Sequence, residues 1–238
     1  MFYDIITIFP EYLEPLKLSL VGKAIEDGVI GTRLWNLRDF AHDRHRTVDD
    51  TPYGGGPGMV MKPEPWGEVL DAILANPPFP GAVPTLVVPT PSGRRFTQRV
   101  AEDWAARADA GWFIFACGRY EGIDSRVMQW ARNVMSLEEI TIGDYVLPGG
   151  ESAVLVMIEA VSRLLPGVLG NGESFVDDSF SNDDEGTLLE GPVYTKPAEW
   201  RGLAVPEILL SGHHANIKKW RRDEAEIRTQ TMRPDLRP

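Results

Sequence analysis

The sequence contains little cysteine: Cys117 is the single one among 238 residues. A lone cysteine excludes an intrachain disulfide and any zinc site that is built on several cysteine ligands. Structural disulfides belong to oxidising compartments. The sequence is therefore suited to a reducing compartment, and we predict a cytoplasmic location.

Long hydrophobic runs are also absent. A membrane-spanning helix needs about 20 consecutive apolar residues, and the nearest approach, "AVLVMIEAV", is interrupted by Glu159. The N-terminal segment carries Asp4 and lacks a basic stretch before its apolar residues, so we expect a first β-strand there and not a signal peptide. The sequence predicts no membrane partner.

Positively charged residues are outnumbered by acidic ones, 24 Lys or Arg against 35 Asp or Glu, so the formal net charge is −11. Phosphate binding needs local positive charge. The negative net charge therefore excludes a uniformly basic protein that binds nucleic acid non-specifically. The distribution leaves room for RNA, since residues 211–238 hold seven Lys or Arg against four Asp or Glu. Residues 171–190, in contrast, hold seven acids and no base.

Short β-branched and aromatic runs alternate with segments of helical periodicity. This alternation predicts an α/β fold with a parallel sheet and helices on both faces, with ligands bound beyond the carboxyl ends of the strands. We predict strands at 2–9, 32–37, 84–89, 112–117 and 138–142, and helices at 14–27, 63–75, 97–108, 122–132 and 151–165.

The character of the sequence changes after Pro166. A Gly-, Ser- and Asp-rich stretch with little periodicity is typical of a linker. We therefore predict a domain at 1–165, a flexible acidic linker at 166–186 and a small, mainly helical domain at 187–238. The main helix of the small domain is predicted at 213–230, with Ser211 available as a cap. Ile217, Trp220 and Ile227 fall near one face of this helix.

Two predicted strands run into glycine loops. "WFIFAC" is followed by "GRYEG", and "EEITI" is followed by "GDYVLPGG". Glycine lets backbone N–H and C=O groups approach a flat ligand. Neither loop is GxGxxG or a Walker A motif, so a pyrophosphate cradle, and with it a dinucleotide oxidoreductase, is not supported. A cofactor without phosphate fits the loops better, and ordinary tight turns are the alternative.

Five segments carry a resemblance over almost the whole chain: "HDRHRTVDDTPYGGGPGM", "CGRYEGID", "IGDYVLPGGE", "VSRLLPGVLG" and "SGHHANIKKWR". Together they resemble the bacterial tRNA (guanine-N1)-methyltransferase family, one of the trefoil-knotted SPOUT methyltransferases. The resemblance implies a deep knot, S-adenosylmethionine as methyl donor, Mg²⁺ dependence and a homodimer with a shared active site. It also implies methylation of the guanine 3′ of the anticodon, at position 37.

The resemblance also implies residues for the cofactor. The segment 142–147 would enclose the adenine through main-chain hydrogen bonds, and other positions would line the ribose and methionine end or let the following helix start against the cofactor. The implied cofactor-binding residues are Pro89, Thr90, Gly118, Tyr120, Glu121, Thr141, Ile142, Gly143, Asp144, Tyr145, Val146, Leu147, Gly149 and Gly150.

Two further residues match the family's catalytic positions. Guanine N1 carries a proton that a base must remove, while negative charge develops on O6. The resemblance implies Asp178 as the general base and Arg163 as the residue that stabilises the guanine. From the residues alone, the pattern favours Asp178 as one solvated acid in an acidic segment, and the alternative for Arg163 is a cation at the end of a helix.

The resemblance places further residues against tRNA, namely His45, Asp49, Gly58, Lys218, Arg221 and Arg222. Without it, the first three belong to a glycine-rich surface loop and the others to a solvated helix face. No Mg²⁺ ligand is identifiable. The chain departs from the family pattern at Ser92, Glu190 and Val193 and in an acidic segment, 181–186, which is longer than usual.

Two other functions stay open at this level. The first is a knotted methyltransferase that modifies another RNA site, such as a ribose 2′-hydroxyl. The second is a non-catalytic RNA-binding module.

Overall fold

The computed structural model describes residues 1–169, 178–181 and 186–236. The chain divides into two compact units, Met1–Gly170 and Asn171–Pro238. Most of the segment that the sequence marks as a linker, including Asp177, lies outside the described residues.

The first unit is built on a parallel sheet. Its strands are β1 (Phe2–Thr7), β2 (Gly31–Asn36), β5 (Pro84–Arg95), β6 (Trp112–Ala116) and β7 (Ser136–Thr141), and a short antiparallel pair is formed by β3 (Asp49–Asp50) and β4 (Val60–Met61). The five long strands follow the order β2-β1-β6-β5-β7, and all their pairings are parallel. Their carboxyl ends therefore meet at one edge of the sheet.

Helices cover both faces of this sheet. They are α1 (Ser19–Glu26), α2 (Pro63–Leu74), α3 (Gln98–Ala105), α4 (Ser125–Ala131) and α5 (Glu151–Ser162). One core cluster joins the sheet to α1, α3 and α5, and a second joins the opposite face to α2 and α4. The side chains of Thr97 and Asp124 accept the capping hydrogen bonds of α3 and α4. The predicted α/β fold with helices on both faces is confirmed.

The first predicted helix is partly wrong. Instead of one helix over 14–27, a 3₁₀ helix, Pro10–Lys17, precedes α1. Pro15 lies inside the 3₁₀ segment, where its missing N–H and its ring are incompatible with an α-helical hydrogen-bond ladder. The periodicity of the apolar side chains alone did not reveal this break.

Strand β5 is longer than the predicted 84–89. Its first part, Thr85 to Pro89, pairs with Ser136 to Ile140 of β7, and after a register shift Arg94 and Arg95 pair with Ile140 and Thr141. The strand therefore runs past two prolines and a glycine because, beyond the irregularity between Pro89 and Arg94, it pairs again with the end of β7.

A buried carboxylate joins three strands. Asp4 of β1 accepts hydrogen bonds from Arg33 Nε (2.7 Å) and Nη2 (2.8 Å) on β2. The indole nitrogens of Trp35 and Trp112 donate to it as well, both at 2.7 Å. A charge that is buried in this way needs such pairing, because its desolvation is costly.

The second unit contains a hairpin, β8 (Glu199–Trp200) with β9 (Leu203–Ala204), and two helices, α6 (Glu207–Leu210) and α7 (His214–Met232). Ser211 does not cap α7, because the cap position is His213 and the Ser211 hydroxyl instead donates to the Ile208 carbonyl. The buried positions of α7 are Ala225 and Thr229, whereas Ile227 is exposed.

Candidate cofactor pocket and RNA-contacting residues

A cavity of about 370 Å³ lies at the carboxyl edge of the sheet. Three segments line it: the end of β5, the loop after β6 and the long loop between β7 and α5. This is the position where a parallel sheet of this kind binds its ligands. The volume falls in the range of small-molecule sites, about 300–1,000 Å³.

The loop after β6 turns sharply. Tyr120 has a φ of +58° and Gly122 a φ of +109°, and the Gly122 N–H closes the turn on the Arg119 carbonyl at 3.1 Å. The Gly118 carbonyl accepts a hydrogen bond from the Gly150 N–H at 3.0 Å. The two glycine loops are therefore joined through their main chains.

The loop after β7 begins with a closed turn. The Thr141 hydroxyl donates to the Gly143 carbonyl (2.8 Å) and accepts from the Gly143 N–H (3.2 Å). Tyr145 returns to this turn through a hydrogen bond from its N–H to the Gly143 carbonyl at 3.0 Å. Farther along the loop, the side chain of Val146 is exposed at the rim of the cavity.

Close backbone packing brings the third segment into place. A Cβ atom at Gly93 of β5 would overlap the backbone of Glu139 and Ile140 in β7. A Cβ atom at Gly150 would lie 3.0 Å from the Cys117 Cα and 3.3 Å from the Pro89 side chain. Gly93 has no room for a side chain, and at Gly150 a Cβ atom would require its neighbours to shift by a few tenths of an ångström.

The structure brings together thirteen of the fourteen residues for which the resemblance implies cofactor binding. Asp144 is the exception: it does not line the cavity, and its exposed carboxylate pairs with Arg95 Nη2 at 2.9 Å. The thirteen lining residues are Pro89, Thr90, Gly118, Tyr120, Glu121, Thr141, Ile142, Gly143, Tyr145, Val146, Leu147, Gly149 and Gly150.

Several lining residues were not anticipated from the sequence. Arg119 is the most significant, because its guanidinium forms an ion pair of 2.9 Å with Glu151, the first residue of α5. Adjacency to Gly118 was a signal in the sequence, but nothing there revealed the partner. The further unanticipated lining residues are Val88, Pro91, Gly122, Ile123, Met128, Glu139, Ile140, Pro148 and Ala153.

The histidine- and arginine-rich segment after β2 is ordered by one carboxylate. Asp43 accepts hydrogen bonds from the His45 N–H (3.0 Å), the Thr47 N–H (2.7 Å) and the Thr47 hydroxyl (2.8 Å). Those bonds from Thr47 hold the pKa of the Asp43 carboxyl below its usual value. The side chains of Arg44 and His45 are exposed on this turn.

The same segment is tied to the cavity farther along the chain. Asp49 pairs with Met61 in the short antiparallel sheet, and the Met61 N–H donates to the Gly122 carbonyl at 2.9 Å. Gly58 has a φ of +85°, and a Cβ atom there would overlap the carboxylate side chain of Glu121, a lining residue. The structure therefore brings Gly58 to the cavity, with Asp49 on the connecting strand.

Comparison with known proteins adds a family to this geometry. The family model described as tRNA (Guanine-1)-methyltransferase TrmD matches residues 1–238. The chain belongs to this family.

Curated relatives agree with the match. The chain is 62% identical over 237 residues to a tRNA (guanine-N(1)-)-methyltransferase of Acidothermus cellulolyticus, covering 99% of this chain and 80% of the relative. It is 62% identical over 233 residues to that of Thermobifida fusca, covering 98% and 87%. The protein of the same name from Rhodococcus jostii is 58% identical over 236 residues, with 99% of both chains covered.

Within the tRNA (guanine-1)-methyltransferase chain, the two residues implied in catalysis lie in different units. Arg163 is the half-buried C-cap residue of α5 in the first unit. Asp178 begins a turn in the second, in which the Ser181 N–H donates to the Asp178 carbonyl at 3.1 Å. The Phe180 N–H donates to the Leu188 carbonyl at 2.8 Å and fixes this turn against the chain that leads to α7.

The three basic residues implied in tRNA binding are exposed on α7. Arg222 pairs with Glu226 at 3.4 Å, one turn farther along the helix, and the neighbouring Lys219 pairs with Asp223. Lys218 and Arg221 have no ion-pair partner within the described part of the chain.

Proposed function

We propose that this chain is an S-adenosylmethionine-dependent tRNA (guanine-N1)-methyltransferase that modifies the guanine 3′ of the anticodon, at position 37. The observation that carries the proposal is the cavity between two glycine loops, in a chain that the family model matches from end to end. The names of the relatives indicate the reaction, and we propose that the cavity binds the methyl donor.

The walls of the cavity suit an adenosine group. Adenine needs one hydrogen-bond donor and one acceptor at fixed positions, and the backbone of residues 142–147 carries both without a loss of side-chain entropy. The absence of a phosphate-binding motif from the sequence agrees with a donor that carries no phosphate. When bound, S-adenosylmethionine would supply the methyl group, and the loops would hold it.

The backbone crossings support a deep trefoil knot of the SPOUT type. Strand β5 pairs with β7 on both sides of a register shift, and Gly93 packs on the backbone of β7. The chain that follows β7 returns to the loop after β6, where Gly150 bonds to Gly118. We propose that these crossings close the knot around the cofactor.

The reaction requires that a proton leave guanine N1 before the nitrogen can attack the methyl group. In this proposal the Asp178 carboxylate takes that proton. The turn that carries Asp178 is fixed by a second contact, because the Glu190 N–H donates to the Ser179 hydroxyl at 3.0 Å. Such anchoring lowers the entropy that is lost when a base is placed against its substrate.

Arg163 would donate to guanine O6, where negative charge develops. It lies twelve residues after Glu151, and at 1.5 Å per residue α5 separates it from the cavity end of the helix by roughly 18 Å. A side chain at that distance is poorly placed for the cavity of its own chain. The separation favours a homodimer in which each active site combines one chain's cavity with Arg163 and Asp178 of the other chain.

An apolar surface in the first unit supports the dimer. Exposed side chains from the 3₁₀ helix, from α1 and from α5 lie on elements that pack beside one another. Val156, for example, is 48% exposed although α5 is otherwise largely buried. Exposed apolar groups on adjacent elements are typical of an interface. The other exposed apolar residues are Tyr12 of the 3₁₀ helix, Leu20 of α1, and Phe9 and Leu18, which flank the 3₁₀ helix.

The tRNA would be held by the segment with His45, Asp49 and Gly58 and by Lys218, Arg221 and Arg222 of α7. The first three lead to the rim of the cavity, as the contacts of Gly58 and Met61 indicate. The basic residues of α7 supply local positive charge in an acidic chain. A target base in an RNA loop has to be unstacked and held in a pocket, and contacts to the surrounding RNA would help to hold it there.

Mg²⁺ stays a prediction from the resemblance. Among the described residues there is no group of three or more His, Cys, Asp or Glu side chains that could hold a metal ion. The resemblance implies that the reaction needs the ion, and no residue is assigned to it here. No helix among the described residues is long and apolar enough to cross a membrane. The cytoplasm remains the proposed compartment, since that is where a tRNA-modifying enzyme meets its substrate.

The test is a methylation assay with labelled S-adenosylmethionine and two tRNA transcripts, one with guanine and one with adenine 3′ of the anticodon. We expect label in the guanine transcript alone, and loss of label on chelation of Mg²⁺. Equal label in both transcripts would move the site elsewhere on the RNA, such as a ribose 2′-hydroxyl. Cofactor binding without any transfer would favour a non-catalytic RNA-binding module.

A further inference from the structure

A buried ion pair borders the cavity, because Arg119 lines it and Glu151 is the partner of Arg119. Glu151 is 0% exposed, and its carboxylate accepts from the Thr7 hydroxyl at 2.7 Å and lies 2.9 Å from Arg119 Nη2. The three residues come from the end of β1, the loop after β6 and the start of α5. This network therefore connects the two glycine loops to the sheet.

The Arg119 guanidinium is also covered by aromatic rings. Its Cζ atom lies 4.7 Å from the ring centre of Phe9 and 5.6 Å from that of Tyr12. The Tyr12 hydroxyl is in turn 2.9 Å from the Ser152 hydroxyl of α5. Cation–π contacts of this kind hold a guanidinium in one orientation. The charge of Arg119 is therefore fixed in position from two sides.

The pair also determines which residue fits in the second glycine loop. A Cβ atom at Gly149 would overlap Arg119 Nε and lie 2.5 Å from Glu151 Oε2. The backbone of Gly149 forms an isolated antiparallel bridge with Arg119. Glycine is required at position 149 because the ion pair fills the space that a side chain would take.

We infer that Arg119 and Glu151 are a positioning pair, whose ion pair sets the spacing between the two glycine loops and so the width of the cofactor pocket. The inference rests on the proposal that the cavity binds S-adenosylmethionine. A buried ion pair is a poor source of net stability compared with apolar packing. The geometry of the loops is what the pair supplies.

The first test is Glu151→Gln. The amide oxygen still accepts from Thr7, but the Arg119 charge loses its partner and the loops lose their fixed spacing. We expect the Kd for S-adenosylmethionine to rise at least about tenfold, since displacements near 1 Å in such sites are costly. The KM for tRNA should stay at the wild-type value. Arg119→Lys keeps the charge but not the planar stacking. We expect its Kd for S-adenosylmethionine to lie between those of the wild type and Glu151→Gln.

Arg33→Met is the matched control. It breaks the other buried ion pair of the first unit, with Asp4, and neither residue lines the cavity. We expect a lower Tm and an unchanged cofactor Kd. If Glu151→Gln behaves in the same way, with a lower Tm and a wild-type Kd, the pair is merely structural and the inference is overturned.

The double variant Arg119→Met/Glu151→Gln covers the case in which the single variant does not fold. It removes both buried charges, so neither is left without its partner and the protein should fold. The spacing between the loops should not be restored, because the ion pair is absent. A Kd that stays raised by about tenfold or more in a folded double variant supports the inference. A wild-type Kd there overturns it.

A variant of the cavity itself separates this inference from the proposed function. A Cβ atom at Gly118 has ordinary contacts only, 3.4 Å and 3.6 Å from Ile123, so Gly118→Val should fold and narrow the pocket. Unchanged binding in Gly118→Val would remove the cavity as the cofactor site. Lost binding in Gly118→Val together with wild-type binding in Glu151→Gln would contradict the positioning pair alone.

Discussion

Cys117 lies between the end of β6 and the first glycine loop, and its side chain is 0% exposed. Burial, together with the nearby charge of Glu151, raises the pKa of the Cys117 thiol well above its ordinary value. The folded chain therefore keeps this thiol protonated at a pH where the unfolded chain releases the proton.

Stability should accordingly depend on pH through Cys117. The folded pKa is the higher one, so the contribution is complete below the unfolded pKa of about 8.5 and is lost as the pH rises above it. We expect the free energy of unfolding, from urea titrations, to fall by up to about 1.4 kcal/mol per pH unit more in the wild type than in Cys117→Ala. Equal slopes in the two proteins would contradict this.

The sequence did not reveal the directions in which individual side chains point. Thirteen residues for which the resemblance implies cofactor binding line one cavity, because the segments that carry them end three neighbouring strands at one edge of a parallel sheet. Asp144 lies in the same loop and yet points to Arg95. Arg119 was missed, since its partner Glu151 is 32 positions away and no local pattern joins the two.

At the level of elements, the strands and most helices were predictable from periodicity. The five main strands and four of the five helices of the first unit lie where the pattern indicated them, within a few residues at each end. The exceptions have long-range or local steric causes. Strand β5 continues to Arg95 because it pairs again with the end of β7 after an irregularity, and Pro15 turns the start of the first predicted helix into a 3₁₀ segment.

Helix α7 supports a prediction about RNA binding. Lys218 and Arg221 lack an ion-pair partner within the described residues, whereas Lys219 is paired with Asp223 on the same helix. Unpaired cations are available to phosphates without first breaking a contact. We expect Lys218→Ala and Arg221→Ala each to weaken tRNA binding and to reduce the salt slope of log K by about 1.

The matched control for these variants is Lys219→Ala. It removes the same charge from the same helix, but its ion pair with Asp223 already uses that charge. Filter binding at several salt concentrations measures all three variants. A loss of affinity in Lys219→Ala as large as that in Lys218→Ala would show that α7 acts only through its total charge.

Catalysis in the proposed enzyme requires the cavity together with Arg163 and Asp178, which follow the cavity-lining segments in the chain. In the proposed dimer, the cavity of one chain works with Arg163 and Asp178 of the other. A mixture of Asp178→Ala and Gly118→Val chains then contains heterodimers in which one of the two sites is intact. We expect the mixture to methylate tRNA although each variant alone does not.

The same experiment has a clear negative outcome. If each site uses residues of one chain only, every site in the mixture lacks either its base or its cofactor pocket, and no activity returns. Refolding the two variants together, with mass measurement of the exchanged dimers, ensures that heterodimers are present. Inactive heterodimers would contradict the shared site and leave the cavity assignment unaffected.

Five of the residues that line the cavity are glycines, and a Cβ atom at Gly149, or at Gly93 of β5, would overlap atoms already in place. A compound that recognises such a wall through N–H and C=O groups meets atoms that every amino acid carries. Exchanging a side chain leaves those atoms in place, and exchanging one of these glycines disturbs the fold. Escape from an inhibitor of this kind by point mutation should therefore be rare.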